Sequence, residues 1–252
     1  MFSQRELERY QRQMMLFGEE GQERLKKAHI FIAGAGGLGS PVSIYLAVAG
    51  VGTITLVDMD VVDLTNLNRQ ILHVDQDIGK KKTASAEEKL RKFNPDITIN
   101  AIDVKIEKSN AAKLVGKADG IVDAMDNYPT RYLLNDVAIA KEIPLFHGGI
   151  SGFYGQATTI IPGTTPCLKC IFPKAPPKEV FPVVGVTPGI IGTIQANEVI
   201  KYLIGSGELL TGRLFIWDGM QAHAEEICVE RNPTCKACSG KIAKTTTART
   251  KK

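Results

Sequence analysis

A short apolar segment that leads directly into a glycine-rich loop constrains the fold of this chain more than any other feature. Residues 30–33 are Ile-Phe-Ile-Ala, and Gly34-Ala35-Gly36-Gly37-Leu38-Gly39 follows without a gap. Glycines at a strand-to-helix junction let the backbone turn tightly and approach a phosphate at the helix N-terminus. The loop therefore predicts a nucleotide site, and a glycine turn without a ligand is the less favoured interpretation. The candidate binding residues are Gly34, Gly36, Gly37 and Gly39.

An acidic residue in the expected place strengthens this prediction. Asp58 ends the next predicted strand, 24 residues after Gly34. In nucleotide-binding units of this kind, an acid after the second strand accepts hydrogen bonds from ribose hydroxyls. Asp58 is therefore a second candidate contact to a nucleotide.

Alternating strand and helix patterns over the first 150 residues predict an α/β fold with a Rossmann-like, doubly wound and mostly parallel sheet. The predicted strands cover residues 30–33, 53–57, 97–102, 120–123 and 144–146. The predicted helices begin after Gly39 and cover residues 80–93 and 130–141.

The second half of the chain has a different character, because seven of the 12 prolines fall between Pro162 and Pro188. This stretch predicts an extended crossover. A helix over 192–203 and strands over 214–217 and 225–229 then predict a smaller mixed lobe. The expected organisation is an N-terminal helical segment (1–28), a nucleotide-binding part (29–150), a partner-binding lobe with the crossover (151–240) and a tail (241–252).

An amphipathic helix is predicted at the N-terminus. Leu7, Tyr10 and Phe17 fall on one helical face, while Arg9 and Arg12 fall on the opposite face. We expect these arginines to point away from the helix's own core contact, as a solvated basic face.

Charge and hydropathy exclude several classes of protein. The formal net charge is +4, but the tail carries five basic residues and no acid, which leaves the body near minus one (4 − 5). A general nucleic-acid surface is therefore not expected. No apolar run approaches the roughly 18 residues of a membrane span, and residues 1–12 lack a signal sequence, so we expect a cytoplasmic protein with a disordered tail.

Polar and basic segments after the second predicted strand suit a triphosphate. Asn66-Leu67-Asn68-Arg69-Gln70 and Gly79-Lys80-Lys81-Lys82 supply hydrogen-bonding groups and cations. A triphosphate needs cations, whereas a nicotinamide needs a mostly apolar niche. For Lys80 and Lys81 we favour a solvated helix start, although cations near a helix N-terminus are unfavourable, so at least one should have an anionic partner.

Asp126 and Asn127 follow the predicted strand over 120–123. Ligands in open parallel sheets lie outside the carboxyl ends of the strands, so Asp126 is a candidate ligand for Mg²⁺. The alternative is that Asp126 caps the helix that follows.

Two C-x-x-C pairs use four of the five cysteines: Cys167 with Cys170, and Cys235 with Cys238. In a chain without a secretion signal this pattern predicts a tetrahedral, structural Zn²⁺ site, with disulfides as the alternative. Because 64 residues separate the pairs, the ion is expected to clip the end of the chain onto the second lobe.

Taken together, these motifs resemble the ThiF/MoeB/HesA family, the relatives of ubiquitin-activating enzymes, from Arg9 to Cys238. The pattern is most similar to adenylyltransferases of molybdopterin-synthase or thiamine sulfur carriers. The resemblance implies a homodimer that binds ATP and Mg²⁺. The reaction that the resemblance implies is adenylation of the C-terminal glycine carboxylate of a small ubiquitin-like or sulfur-carrier protein ending in Gly-Gly, with release of pyrophosphate.

The resemblance also implies roles for individual residues. They are Gly37 at the phosphates, Asp58 at the ribose, Asn66, Arg69 and Lys82 at the triphosphate, Asp126 beside Asn127 at the metal, and Arg12 reaching in from the other subunit. No protein nucleophile is needed, because the incoming carboxylate is already ionised at neutral pH.

One feature departs from part of the family. Members that form a thioester or acyl-disulfide carry a cysteine in the part of the crossover after the first C-x-x-C pair, and the corresponding residues 179–188 contain none. We therefore expect adenylation without a covalent protein intermediate, and a separate sulfur donor or conjugating partner. We expect Cys228 to be a buried structural residue.

Three alternatives remain open from the sequence. One is adenylation of a small-molecule or tRNA-linked carboxylate. The second is a dinucleotide-dependent oxidoreductase, suggested by the glycine loop alone. The third is a non-catalytic scaffold, which conflicts with the presence of every expected phosphate and metal residue.

Overall fold

A computed structural model describes residues 2–175 and 182–240. The predicted tail and residues 176–181 of the predicted crossover lie outside these residues. The strands are β1 His29–Ala33, β2 Thr53–Asp58, β3 Thr98–Asp103, β4 Gly120–Asp123, β5 Leu145–Ser151, β6 Tyr154–Ile160, β7 Arg213–Asp218 and β8 His223–Cys228. The helices are α1 Gln4–Lys27, α2 Gly39–Ala49, α3 Lys82–Phe93, α4 Ala111–Val115, α5 Tyr128–Lys141, α6 Leu168–Ile171 and α7 Val186–Ile204.

Within the described residues, eight strands form one sheet in the order β3-β2-β1-β4-β5-β6-β7-β8. The first five strands in this order pair in parallel, and the last four pair in antiparallel fashion. The α/β class and the parallel half are thus confirmed. The chain order reverses between β1 and β4, which is the place where open α/β sheets bind ligands.

The second half differs from the expectation. It continues the same sheet through β5, so the predicted smaller lobe is an antiparallel extension of the nucleotide-binding half. Strand β6 was not predicted. One reason is Gly155, because glycine weakens the sequence pattern of a strand. Glycine is needed there because a Cβ would overlap the side chain of Ile191, which packs against the strand from α7.

Helix α7 also begins earlier than predicted, at Val186 rather than at residue 192. Pro188 lies in its first turn, where a missing backbone N–H has no helical partner to lose. The prolines and glycines that suggested an extended crossover are therefore partly helical.

Helices cover both faces of the sheet, and β1 shows why. Ile30 and Ile32 face a core formed with α2, α3 and α7, while Phe31 and Ala33 face a core formed with α4, α5 and α6. Successive side chains of a strand point to opposite faces, so a fully apolar strand must be covered on both.

Helix α1 begins at a capping box in which Ser3 and Glu6 bond reciprocally, and it breaks at Gly18, where φ is 72°. Tyr10 is buried and accepts a hydrogen bond from Asn94. Arg9 donates to the carbonyl of Phe93. Both Arg9 and Arg12 are exposed, as the helical-face argument predicted.

The expectation that Cys228 is buried is wrong, because Cys228 is exposed. It ends β8, the last strand of the sheet order, and every residue of β8 is exposed. Its position in a predicted strand suggested burial, but an edge strand without a covering helix leaves both faces in solvent. None of the described helices combines the length and the apolar character needed to cross a bilayer.

Candidate nucleotide-binding site

A cavity of about 600 Å³ lies at the carboxyl ends of the parallel strands. This volume is within the usual range for small-molecule sites. Its walls come from the segments that follow β1, β2, β3 and β4 and from the first turns of α5. The lining residues are Gly34, Gly36, Gly37, Val57, Asp58, Met59, Asp60, Arg69, Gln70, Lys82, Val104, Lys105, Ile106, Glu107, Ala124, Met125, Asp126, Asn127, Pro129, Thr130 and Leu133.

The glycine loop is held by close backbone contacts. Gly34 has a φ of 102°, and a Cβ there would lie 2.7 Å from the carbonyl oxygen of Ala124. At Gly39, a Cβ would overlap the carbonyl oxygen of Gly34. Both positions require glycine, one for its conformation and both for the close approach of backbone to backbone. Gly36 and Gly37 face the cavity.

Asp58 fixes the loop in addition to lining the cavity. One of its carboxylate oxygens accepts a 2.8 Å hydrogen bond from the N–H of Ala35, and the other accepts one of 2.8 Å from the N–H of Asp60. Each oxygen retains a further acceptor position. Asp58 can therefore orient the glycine loop and still accept bonds from a ligand hydroxyl.

Two cationic side chains reach the cavity from different elements. Lys82, the first residue of α3, is buried and its Nζ lies 2.9 Å from the Asp60 carboxylate. Arg69 donates to the carbonyl of Thr65 and to the side chain of Asn68, at 2.8 and 2.9 Å. These contacts hold both cations in place before any ligand is present.

The neighbouring lysines have anionic partners as well, as the helix-dipole argument predicted for at least one of them. Lys80 lies 3.1 Å from Asp77, and Lys81 lies 3.1 Å from Asp103. Neither lines the cavity.

The alternative role of Asp126 as the helix cap does not hold. The N-cap of α5 is Asn127, whose side chain accepts a 3.0 Å bond from the N–H of Thr130. Among the other acidic residues of the wall, Asp60 is paired with Lys82, and Glu107 with Lys105. Asp126 accepts a 3.3 Å bond from the side-chain amide of Asn127, and within the described residues no basic side chain pairs with its exposed carboxylate, which can therefore take a cation.

A buried polar cluster lies beneath Asp126. Asp123 accepts a 2.7 Å bond from His147, and Arg131 donates two bonds to the carbonyl of Met125, at 3.1 and 2.6 Å. Burial lowers the pKa of His147, against the opposing effect of Asp123. Because Arg131 holds the residue immediately before Asp126, this cluster fixes the backbone from which that carboxylate projects.

Three predicted site residues do not line the cavity. Gly39 packs beneath the loop, Arg12 lies exposed on α1, and Asn66 caps a short 3-10 turn by accepting from the N–H of Asp63. The sequence analysis also missed the wall formed by residues 104–107. The rule that ligands lie beyond the carboxyl ends of parallel strands would have indicated it, because these residues follow β3.

The four paired cysteines come together, as their spacing predicted. All four Sγ atoms lie within 4.8 Å of one another, with 3.8 Å between Cys167 and Cys170 and 3.5 Å between Cys170 and Cys238. A tetrahedral ion with ligand bonds of about 2.3 Å places its sulfur atoms about 3.8 Å apart, so the cluster can hold a metal ion. Burial raises the pKa of Cys167, whereas the N–H groups of Ala237 and Cys238 overcome burial and lower that of Cys235 to about 7.

Comparison with known proteins agrees with this geometry. A family model described as the ThiF family matches residues 10–237. The chain is 45% identical over 241 residues to the SAMP-activating enzyme E1 of Haloferax volcanii, covering 92% of this chain and 89% of that protein. It is 42% identical over 250 residues to the sulfur carrier protein adenylyltransferase of Thermus thermophilus, covering 94% and 92%.

A solved structure also resembles this fold. The crystal structure of E. coli MccB with AMPCPP and MccA superimposes with a TM-score of 0.82 at 25% identity, covering 92% of this chain and 74% of that chain. That title names both a nucleotide analogue and a second molecule, MccA.

Proposed function

Because this chain belongs to the ThiF family, we propose that it uses ATP to adenylate the C-terminal glycine carboxylate of a small ubiquitin-like or sulfur-carrier protein. The products are an acyl-adenylate and pyrophosphate. The observation that carries the proposal is that the glycine loop, Arg69, Lys82 and Asp126, which has no basic partner among the described residues, line one cavity. The chain is an adenylyltransferase of the modifier- and carrier-activating type.

The residues of the cavity act by positioning and by charge. The N–H groups of the glycine loop and the Asp58 carboxylate hold the nucleotide. Arg69 and Lys82 offset the charge that develops on the α-phosphate and on the pyrophosphate leaving group. The incoming carboxylate is the nucleophile, so the reaction needs no side chain for that role. This mechanism fits a cavity in which Asp58, Arg69 and Lys82 are held by partners in advance.

Asp126 is the proposed ligand of Mg²⁺. Its carboxylate lines the cavity without a basic partner, and hard cations prefer carboxylate and phosphate oxygens. When bound, Mg²⁺ supplies positive charge beside the phosphates. Arg131 keeps the Asp126 backbone in place, while Asn127 serves as the helix cap.

We propose Zn²⁺ as the ion of the cysteine cluster, in a structural role. Four sulfur ligands leave no open position for a substrate. The site joins the start of α6 to residues 235–238, and it packs in the same core as α5. The ion thus attaches the C-terminal segment to the helix that begins at Asn127, and it does not take part in the chemistry.

The proposed active form is a homodimer in which Arg12 reaches the cavity of the partner subunit. Arg12 is exposed on α1 and does not line the cavity of its own chain. The nearby Met15 and Leu16 are 75% and 86% exposed, which favours a protein contact along this part of α1.

The carrier protein is proposed to dock on the antiparallel half of the sheet. Large apolar side chains are exposed there. Residues 179–188 of the crossover contain no cysteine for a covalent intermediate, so transfer needs a separate sulfur donor or conjugating partner. The exposed apolar residues are Phe153, Tyr154, Met220 and Ile227.

ATP–pyrophosphate exchange tests the proposal. The purified protein, with Mg²⁺ and a panel of small carriers ending in Gly-Gly, should exchange label in the presence of one carrier. We expect Arg69→Ala and Asp126→Ala each to lower exchange by at least about 100-fold while the protein stays folded, since each removes charge stabilisation from the transition state. Arg91→Ala, which changes an exposed arginine outside the cavity, is the matched control.

The outcomes separate the alternatives. Retained exchange in either cavity variant removes that residue from the mechanism. A folded, ATP-binding wild-type protein that exchanges with no carrier instead favours a small-molecule or tRNA-linked carboxylate as the substrate. Bound nicotinamide cofactor, detected by its absorbance, would favour an oxidoreductase.

A further inference from the structure

His73 is a buried histidine that contacts the glycine loop but does not line the cavity. Its Nε2 atom lies 3.0 Å from the carbonyl oxygen of Ala35, and its Nδ1 atom lies 2.8 Å from the hydroxyl of Ser85. The side chain therefore joins the glycine loop to helix α3.

These partners determine where the ring proton lies. A carbonyl oxygen can only accept, so Nε2 carries the proton and donates to Ala35. In the neutral ring, Nδ1 then accepts from the Ser85 hydroxyl, whose oxygen accepts a 2.8 Å bond from Lys89. Lys89 is in turn paired with the buried Asp77. Burial lowers the pKa of His73, which favours the neutral ring, although the Ala35 bond opposes this effect.

The bond to Ala35 has a direct effect on the phosphate loop. The C=O of Ala35 and the N–H of Gly36 belong to one planar trans peptide and point in opposite directions. With the carbonyl directed at His73, the Gly36 N–H is directed away from it, and Gly36 lines the cavity. The N–H of Ala35 is held by Asp58, so Ala35 is bonded at both its N–H and its C=O.

We propose that His73 is a positioning residue for ATP, which holds the Ala35–Gly36 peptide with its N–H directed at the phosphate groups. This inference rests on the proposed function, because it assigns a phosphate to the space in front of Gly36. His73 does not touch the nucleotide, and it acts through the peptide that does.

Two variants of His73 separate the two bonds of its ring. In His73→Gln, the amide nitrogen lies as many bonds from Cα as Nε2 does, so the donor to Ala35 is kept. In His73→Asn, the amide reaches only the position of Nδ1, so the contact with Ser85 is kept and that with Ala35 is lost. Both variants replace the imidazole with an amide, so both lose the packing contacts of the ring.

The experiment measures the Kd for ATP by calorimetry, and the KM for ATP, the KM for the carrier and the kcat by exchange. We expect His73→Asn to raise the Kd and KM for ATP about tenfold, the effect of one lost hydrogen bond. His73→Gln should stay within about threefold of the wild type, and the KM for the carrier should not change in either variant. Equal ATP affinities of the two variants overturn the proposal, as does a change in kcat without a change in the KM for ATP.

Ser85→Ala decides the matter if neither His73 variant folds. It removes the hydroxyl that fixes the ring and should raise the Kd for ATP about threefold, whereas wild-type affinity overturns the proposal. Calorimetry also separates this inference from the proposed function. Wild-type protein that binds ATP but exchanges with no carrier contradicts the proposed substrate and leaves the comparison of variants valid. Wild-type protein that binds no ATP overturns both.

Discussion

At the scale of single residues, buried histidines give the stability of this protein a dependence on pH. Burial lowers the pKa of His73 and of His147 in the folded chain, while a histidine in the unfolded chain has a pKa of about 6.5. Below that value the unfolded chain binds protons that the folded chain does not. The stability contributed by these neutral rings is therefore present above about pH 6.5 and is lost as the pH falls below it.

We expect the free energy of unfolding, measured with urea, to fall between pH 7.5 and pH 5.5. Each buried histidine contributes at most about 1.4 kcal/mol per pH unit. His147→Asn keeps a polar group at the position that contacts Asp123 and removes one titrating ring, so its loss of stability over this range should be smaller. His223→Gln, at an exposed histidine, is the control and should keep the wild-type slope. Identical slopes in all three proteins contradict the prediction.

Single residues also show where prediction from sequence ended. The positions of Asp58 and Asp126 were predicted from the strands that precede them, because a residue at or just after the end of a parallel strand lies at the carboxyl edge of the sheet. The exposure of Cys228 was missed, although Glu225 and Glu226 in the same strand favour solvent on both of its faces. His73 was missed because its partners, Ala35 and Ser85, are distant along the chain.

At the scale of elements, the cysteine cluster joins two short segments that have few other means of staying together. Helix α6 has only four residues, Leu168–Ile171, and residues 229–240 contain no helix or strand. Short segments of this kind bury too little apolar surface to hold their position alone. A structural Zn²⁺ can supply on the order of 10 kcal/mol to folding.

Removal of one ligand tests this role. We expect Cys238→Ser to lose bound zinc and to lower the unfolding temperature markedly, because the ion then lacks its fourth sulfur ligand. Cys228→Ser changes a cysteine outside the cluster and should keep both the metal content and the unfolding temperature. The measurements are elemental analysis of the purified proteins and thermal unfolding with and without a chelator. A zinc-free wild-type protein, or an unchanged unfolding temperature in Cys238→Ser, excludes a structural zinc.

At the scale of the whole molecule, the cavity of one chain lacks a residue that the mechanism assigns to it. Arg12 is exposed on α1, and the proposed homodimer brings it into the partner's cavity. A closed two-fold dimer contains two such sites, each built from both subunits. The two contributions can therefore be removed from separate chains.

Mixed dimers distinguish action across the interface from action within one chain. Arg12→Ala and Asp126→Ala should each be inactive in exchange. After the two proteins are mixed and allowed to reassociate, half of the dimers are mixed and each of these has one intact site, so about a quarter of the wild-type activity should return. If Arg12 acts within its own chain, no activity returns. Sedimentation that shows a monomer at working concentration excludes the dimer directly.

The sequence by itself determined the parts of this protein that depend on local order along the chain. The strand, glycine loop and helix that begin at His29 follow from apolar spacing and from the conformational freedom of glycine at Gly34. The two cysteine pairs, each with a C-x-x-C spacing, indicated a metal site for the same reason.

Only the tertiary structure decided the features that depend on residues far apart in the sequence. The antiparallel extension of the sheet requires Gly155 because Ile191 of α7 packs against it. Asp126 is available to a cation because Asn127 caps α5 in its place. The lysines of the wall are already paired with Asp60 and Glu107, and Asp58 is engaged by backbone N–H groups. Contacts of this kind depend on which elements pack together, and periodicity along one segment carries no information about its neighbours.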